Sequence, residues 1–124
     1  MVLRIHHITV DCTDALRVAT FWSAALGIPL DEGGDAEQAS IAARESGRGW
    51  LFFQVPEPKT AKNRMHTDLI SDDREADVAR LVGLGATVFA EHGANGEYGG
   101  TRWTVLQDPE GNEFCIVQGS PQKM

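Results

Sequence analysis

The sequence predicts an α+β fold: two βαβββ modules whose mixed sheets make a concave, partly closed cleft, with the helices outside. Three observations carry this expectation. Strand-like and helix-like segments follow one another in the same order in each half of the chain. The halves superpose residue on residue, with His7 on His66 at an offset of 59, Gly27 on Gly85 at 58 and Phe53-Gln54 on Phe114-Cys115 at 61. A strand, a helix and further strands cannot bury both sheet faces alone, so a duplicated unit implies two four-stranded sheets around a shared hollow. A chain of 124 residues, 42% of them hydrophobic, is long enough for one buried core and short for two ordinary domains. The expectation is therefore a single domain over 1–124, with module 1 at about 1–58 and module 2 at about 63–120.

In chain order, Ile5 to Val10 is a β-branched run that predicts a strand with Ile8 and Val10 on one face and His7 and Thr9 on the other. Thr13 or Asp14 offers a helix N-cap, Leu16, Ala19, Trp22, Ala25 and Leu26 recur at helical spacing, and Gly27 supplies the C-terminal stop. A weak strand follows at Ala39 to Ala43, then a turn near Ser46 to Gly49 and an aromatic strand from Trp50 to Val55 that Pro56 ends. After a polar connector, Lys59 to Arg64, the pattern repeats. Met65 to Ile70 predicts a strand, and Ser71 or Asp72 a cap. Ala76, Val78, Leu81, Val82 and Leu84 supply a helical face closed by Gly85. Strands are expected at Ala86 to Ala90, Thr101 to Leu106 and Glu113 to Gln118, with a mobile Gly-rich loop from Gly93 to Gly100 as a possible lid and a turn at Asp108 to Gly111.

Charge excludes some functions. Eleven basic residues against eighteen acidic ones give a net charge of −7, and no basic cluster exists to gather phosphates, so neither nucleic acid nor an anionic membrane is an expected partner. The opening MVLRIHHITVDC has no apolar core followed by small residues, which predicts no leader, no membrane span and a cytoplasmic chain. Cys12 and Cys115 are read as buried thiols without a disulfide. No Ser–His–Asp arrangement, phosphate-cradling glycine motif or Cys-x-x-Cys site is present.

The segments IHHITVDCTDALRVATFWSAALG, VPEPKTAKNRMHTDL and WTVLQDPEGNEFCIV resemble the vicinal-oxygen-chelate superfamily, that is, glyoxalase/bleomycin-resistance/dioxygenase-like domains. The DPEGN turn is the most recognisable piece, since Pro109 fixes φ and Gly111 and Asn112 tolerate positive φ. The resemblance implies the glyoxalase-like fold, a homodimer, and a metal site on the first and last strand of each module, which here means His7, Gln54, His66 and Cys115. Small bacterial glyoxalase I proteins carry His, Glu, His and Glu there, so both histidines are kept and both carboxylates are missing. Glyoxalase I activity needs a carboxylate that shuttles a proton, which an amide or a buried thiol does not supply. Glu113, two residues before Cys115 on the same strand face, is the substitute carboxylate and the candidate catalytic residue.

The expected site thus comprises His7, His66, Gln54 and Glu113 around a divalent ion such as zinc, nickel, iron or manganese. Trp50, Phe52, Trp103, Asp68 and Cys115 are the expected substrate contacts. Trp50 and Phe52 share the parity of Gln54 and are placed on the cleft face, with Tyr98 and Trp103 completing an aromatic box, while Leu51 and Phe53 face the helices. Asp68 shares the parity of His66 and is placed either beside that imidazole or in a pair with Lys62 or Arg64. His6 and His92 are read as structural or solvated. Two functions follow. One is a metal-dependent lyase, isomerase or dioxygenase-type enzyme on a small molecule with adjacent oxygens. The other is a metal-free drug- or metabolite-binding protein like the bleomycin-resistance members.

Overall fold

A computed structural model describes residues 2–119; residue 1 and residues 120–124, the ends of the expected domain and of its second module, lie outside the described residues. The chain divides into two compact units, 1–59 and 60–124, each with one helix on one mixed sheet that is not closed into a barrel.

In the first unit the strands β1 (His7–Cys12), β2 (Gln38–Ile41) and β3 (Gly49–Gln54) lie in the order β1-β3-β2, with β1 parallel and β2 antiparallel to β3. The sheet has three strands rather than the expected four. The place of the fourth is held by a single bridge, Leu30 to Ile41, because Pro29 lacks a donor and the Gly33-Gly34 pair that follows disfavours extended pairing. Helix α1 (Ala15–Leu26) begins where Asp14 accepts from Arg17 N–H at 3.2 Å and ends at Gly27, whose φ of 68° is the left-handed stop. It buries Ala15, Val18, Ala19, Phe21 and Trp22. The buried stripe is thus rotated from the expected one, and Leu16 is exposed.

The facing of β3 is the reverse of the sequence expectation. Trp22 of α1 packs on Trp50 at 4.8 Å, and Phe52 beside it is fully buried, whereas Phe53 is 43% exposed. Trp50 and Phe52 therefore lie under the helix, and Leu51 and Phe53 lie on the other face. The register pairs Thr9 with Leu51 and Asp11 with Phe53, so His7, Thr9 and Asp11 share that second face.

In the second unit β4 (Asp68–Ser71), β5 (Thr87–His92), β6 (Trp103–Gln107) and β7 (Glu113–Gln118) lie in the order β4-β7-β6-β5, with β4 parallel to β7. This order matches β1-β3-β2 with Leu30 at the far edge. Helix α2 (Arg74–Gly83) is capped by Asp73, which accepts from Ala76 N–H at 3.1 Å, and not by Ser71 or Asp72. Ser71 instead bonds Asp77 and receives Asp73 N–H. Of the expected apolar face only Leu81 is fully buried. Arg74 is also buried and binds Thr104 and Glu91 beneath the helix. Thr104, Leu106, Phe114 and Ile116 thus form the α2 face of the sheet, and Trp103, Val105, Glu113, Cys115 and Asp68 alternate onto the opposite face.

Two turns fix this unit. Asp108 Oδ1 accepts from Glu110 N–H at 2.8 Å and Asn112 N–H at 3.0 Å, which holds the DPEGN turn ahead of β7. The β5–β6 hairpin is tied by Glu97, which accepts from Gly93 N–H at 3.1 Å and Asn95 N–H at 3.0 Å. A Cβ on Gly93 would lie 1.9 Å from Thr101 O, and its φ is 87°, so this position demands glycine. Both cysteines are buried and neither forms a disulfide.

Candidate functional site

The site grows out of the parallel pairing of β4 with β7. That register sets Asp68 directly opposite Cys115, and paired residues project to the same side. His66 lies just before β4, and its Nε2 is 3.3 Å from Asp68 Oδ1. An imidazole nitrogen, a carboxylate oxygen and a thiol sulfur consequently gather within 4.8 Å of one another, on the face turned away from α2.

The three donors differ in environment. The side chains of His66 and Asp68 are 42% and 61% exposed, while Cys115 is buried. Burial pushes the Cys115 thiol up to about 11, and the Asp68 charge beside it adds to the rise. Alone, the thiol is protonated and inert at neutral pH. Beside a divalent cation the order inverts, because a coordinating thiol gives up its proton.

The donor set fits a metal ion. A tetrahedral ion with bonds of 2.0–2.3 Å places its ligand atoms roughly 3.3–3.8 Å apart. The His66–Asp68 separation already meets that spacing, and the sulfur, within 4.8 Å of both, needs to approach by at most roughly 1–1.5 Å. His66, Asp68 and Cys115 would hold the ion. It would supply a Lewis acid with open positions for ligand oxygens.

The other expected residues fall elsewhere. Gln54 stands on the α1 face of β3, opposite to His7, and its amide donates to Thr13 O at 3.0 Å. The offset of 61 that equated it with Cys115 is out of parity, and a one-residue slip moves every side chain to the other face. For the same reason Phe52 is core under α1 and the half-buried Trp50 packs beside it on Trp22. His7 lies beside His6, with Nδ1 atoms 2.6 Å apart and rings edge to face. Glu113 shares the face of Cys115 but is engaged by the connector, where Asn63 N–H donates to its Oε1 at 2.8 Å and the Asn63 amide to its backbone carbonyl at 3.0 Å. It lies outside the donor group. Asp68 pairs with His66 and not with Lys62 or Arg64.

Trp103 stands on the same face as the donors, with His92 stacked on it at 5.0 Å and Tyr98 packed at 4.8 Å. The aromatic group is therefore His92, Tyr98 and Trp103, without Trp50 and Phe52. His92 was missed in the sequence, although its place at the end of a strand across from Trp103 was the available signal. The loop from 93 to 100 is folded back through Tyr98 onto the sheet. Among the described residues no helix is long and apolar enough to cross a membrane.

No curated protein matches the chain. Solved structures do. A glyoxalase/bleomycin resistance protein/dioxygenase family enzyme from Burkholderia phytofirmans PsJN is 18% identical, with a TM-score of 0.71 over 94% of this chain and 98% of that one. The fosfomycin resistance protein FosX of Listeria monocytogenes is 13% identical, with a TM-score of 0.72 over 99% and 98%. Lactoylglutathione lyase from Agrobacterium tumefaciens is 16% identical, with a TM-score of 0.63 over 96% of each chain. At these identities the likeness is one of fold. A family model described as glyoxalase-like domain matches residues 7–117, and the chain accordingly belongs to the glyoxalase-like domain family.

Proposed function

We propose that this domain binds a small organic molecule with adjacent oxygen atoms by way of a divalent ion on His66, Asp68 and Cys115. The observation that carries the reading is the convergence of three different donors within 4.8 Å on one sheet face. When bound, the ion polarises the ligand oxygens. The chain's own residues then have separate tasks. Asp68, whose carboxylate is 61% exposed, is the group within reach to take up or return a proton next to a polarised carbonyl, as a lyase or isomerase step requires. This role passes to Asp68 from Glu113, whose carboxylate receives Asn63 N–H. Trp103 and Tyr98 offer a flat apolar surface on the donor face.

The test is metal analysis of untagged protein. One divalent ion per chain is expected in the native protein, and its loss in His66→Ala. Protein without stoichiometric metal, or a His66→Ala variant that keeps it, contradicts the reading.

The aromatic group favours a second reading, a metal-free binding protein that stacks a planar ligand against Trp103. Saturable quenching of tryptophan fluorescence by planar compounds, unchanged by chelator and lost in Trp103→Leu, supports it. Quenching that requires the metal returns the argument to the first reading.

A further inference from the structure

We infer that the group His66, Asp68 and Cys115 is a thiolate-containing site that selects a thiophilic divalent ion of the zinc, cobalt and cadmium kind over magnesium or manganese. The inference deepens the proposed function and rests on its premise that a divalent ion is held at this place. Its grounds are the donors themselves and how the backbone supplies them.

Magnesium and manganese sites are built from oxygen, and magnesium demands near-octahedral geometry with several waters retained. Here only one of the three donors is an oxygen. The others are an imidazole nitrogen and a sulfur, the ligand types that suit zinc, with bonds of about 2.0–2.1 Å to nitrogen and about 2.3 Å to sulfur. Three protein donors also match the count of a zinc ion that keeps a fourth position for water or ligand.

Position supports the same conclusion. Asp68 and Cys115 are register partners on adjacent strands, so their separation is fixed by the ladder and not by a mobile loop. Cys115 N–H donates to Thr67 O at 2.9 Å, which extends that pairing toward His66. The sulfur is buried while the nitrogen and the oxygen are exposed. An arriving ion thus meets His66 and Asp68 first and closes on the sulfur of the buried Cys115. A buried sulfur also favours an ion that bonds it covalently over a hard ion that holds its hydration shell. As a surface pair alone, His66–Asp68 would contribute little, and it would give Cys115 no role beyond filling space.

The experiment uses the full chain stripped with chelator and titrated with zinc, cobalt, cadmium, magnesium and manganese salts, each alone. Zinc and cadmium are expected to bind one per chain and about 100-fold or more tightly than magnesium or manganese. The cobalt and cadmium adducts should show a near-ultraviolet thiolate-to-metal charge-transfer band that disappears in Cys115→Ser. Cys115 is buried, so its replacement can disturb folding. His66→Ala and Asp68→Asn alter exposed side chains, and each should weaken zinc by about 10-fold or more with the circular dichroism spectrum unchanged.

Manganese binding as tightly as zinc overturns this inference and leaves the proposed function standing, whereas a cobalt adduct without the thiolate band overturns both, since each places the ion on Cys115. Zinc binding unaltered by both His66→Ala and Asp68→Asn overturns it as well. If no ion of either kind binds, the proposed function falls with it.

Discussion

The two halves of the chain share one order of elements and use their helix-facing layers differently. In residues 1–59 the layer under α1 is aromatic: Phe21 meets Trp22 at 5.4 Å, Trp22 meets Trp50 at 4.8 Å, and Trp50 meets Phe52 at 6.3 Å. In residues 60–119 the layer under α2 is apolar at its floor, with Leu81, Leu106, Phe114 and Ile116, and polar at one end. There Arg74 binds Thr104 and Glu91 and takes the Gln118 side chain on its backbone N–H at 3.0 Å. The difference teaches that one architecture separates two duties. Apolar area stabilises the first half with little directional demand, whereas the hydrogen-bonded end of the second fixes where α2, β6 and β7 sit. Among the described residues the donor group lies in that second half, where positions must be exact for chemistry.

This contrast can be broken by mutation. The largest effect is expected from Phe52→Ala, which empties a fully buried ring site and should cost about 3–5 kcal/mol in chemical denaturation. Arg74→Met keeps volume and removes the polar end; it should cost less, about 1–3 kcal/mol. A cost equal to that of Phe52→Ala would erase the distinction between the halves. Gly93→Ala comes next. It forces a Cβ against Thr101 O at a φ of 87° and should cost about 1–3 kcal/mol, read as a loss of melting temperature.

His66→Ala sharpens the contrast from the other side. It should change stability by less than about 1 kcal/mol while removing metal retention, since the side chain is exposed and its partner is Asp68. The smallest effect concerns acid. Asp31 accepts from Ala43 N–H at 3.0 Å and the Ser40 hydroxyl at 2.7 Å, and these bonds, the backbone one first, hold its carboxyl below the usual 3.8. A lowered carboxylate adds stability above 3.8 that is lost as the pH falls through its folded value. Asp31→Asn should lower stability slightly at neutral pH, leave it nearly unchanged below the folded value, and so flatten the acid limb of the stability curve.

Much of the fold was legible in the residues. Asp14, one of the two caps expected, and Gly27 bracket α1, and β7 runs from Glu113 to Gln118 as read from its pattern. What escaped had physical causes. The run Trp50-Leu51-Phe52-Phe53 is apolar on both faces, so alternation carries no parity signal, and only the contact with Trp22 decides it. In Ser71-Asp72-Asp73 three good caps stand in a row, and the choice of Asp73 depends on Ser71 being occupied by Asp77. Of the site, His66 and Cys115 were legible as positions and Asp68 by its parity with His66. That Asp68 stands beside Cys115 follows from the parallel β4–β7 register, and Glu113 stays out of the donor group while Asn63 N–H holds its carboxylate; neither long-range pairing is encoded in a local pattern.

The account depends most on one ion sharing ligands from His66, Asp68 and Cys115. X-ray absorption at the zinc edge of the reconstituted protein tests this directly. One sulfur at about 2.3 Å with nitrogen and oxygen at about 2.0–2.2 Å is the predicted shell. A shell of nitrogen and oxygen alone would contradict it.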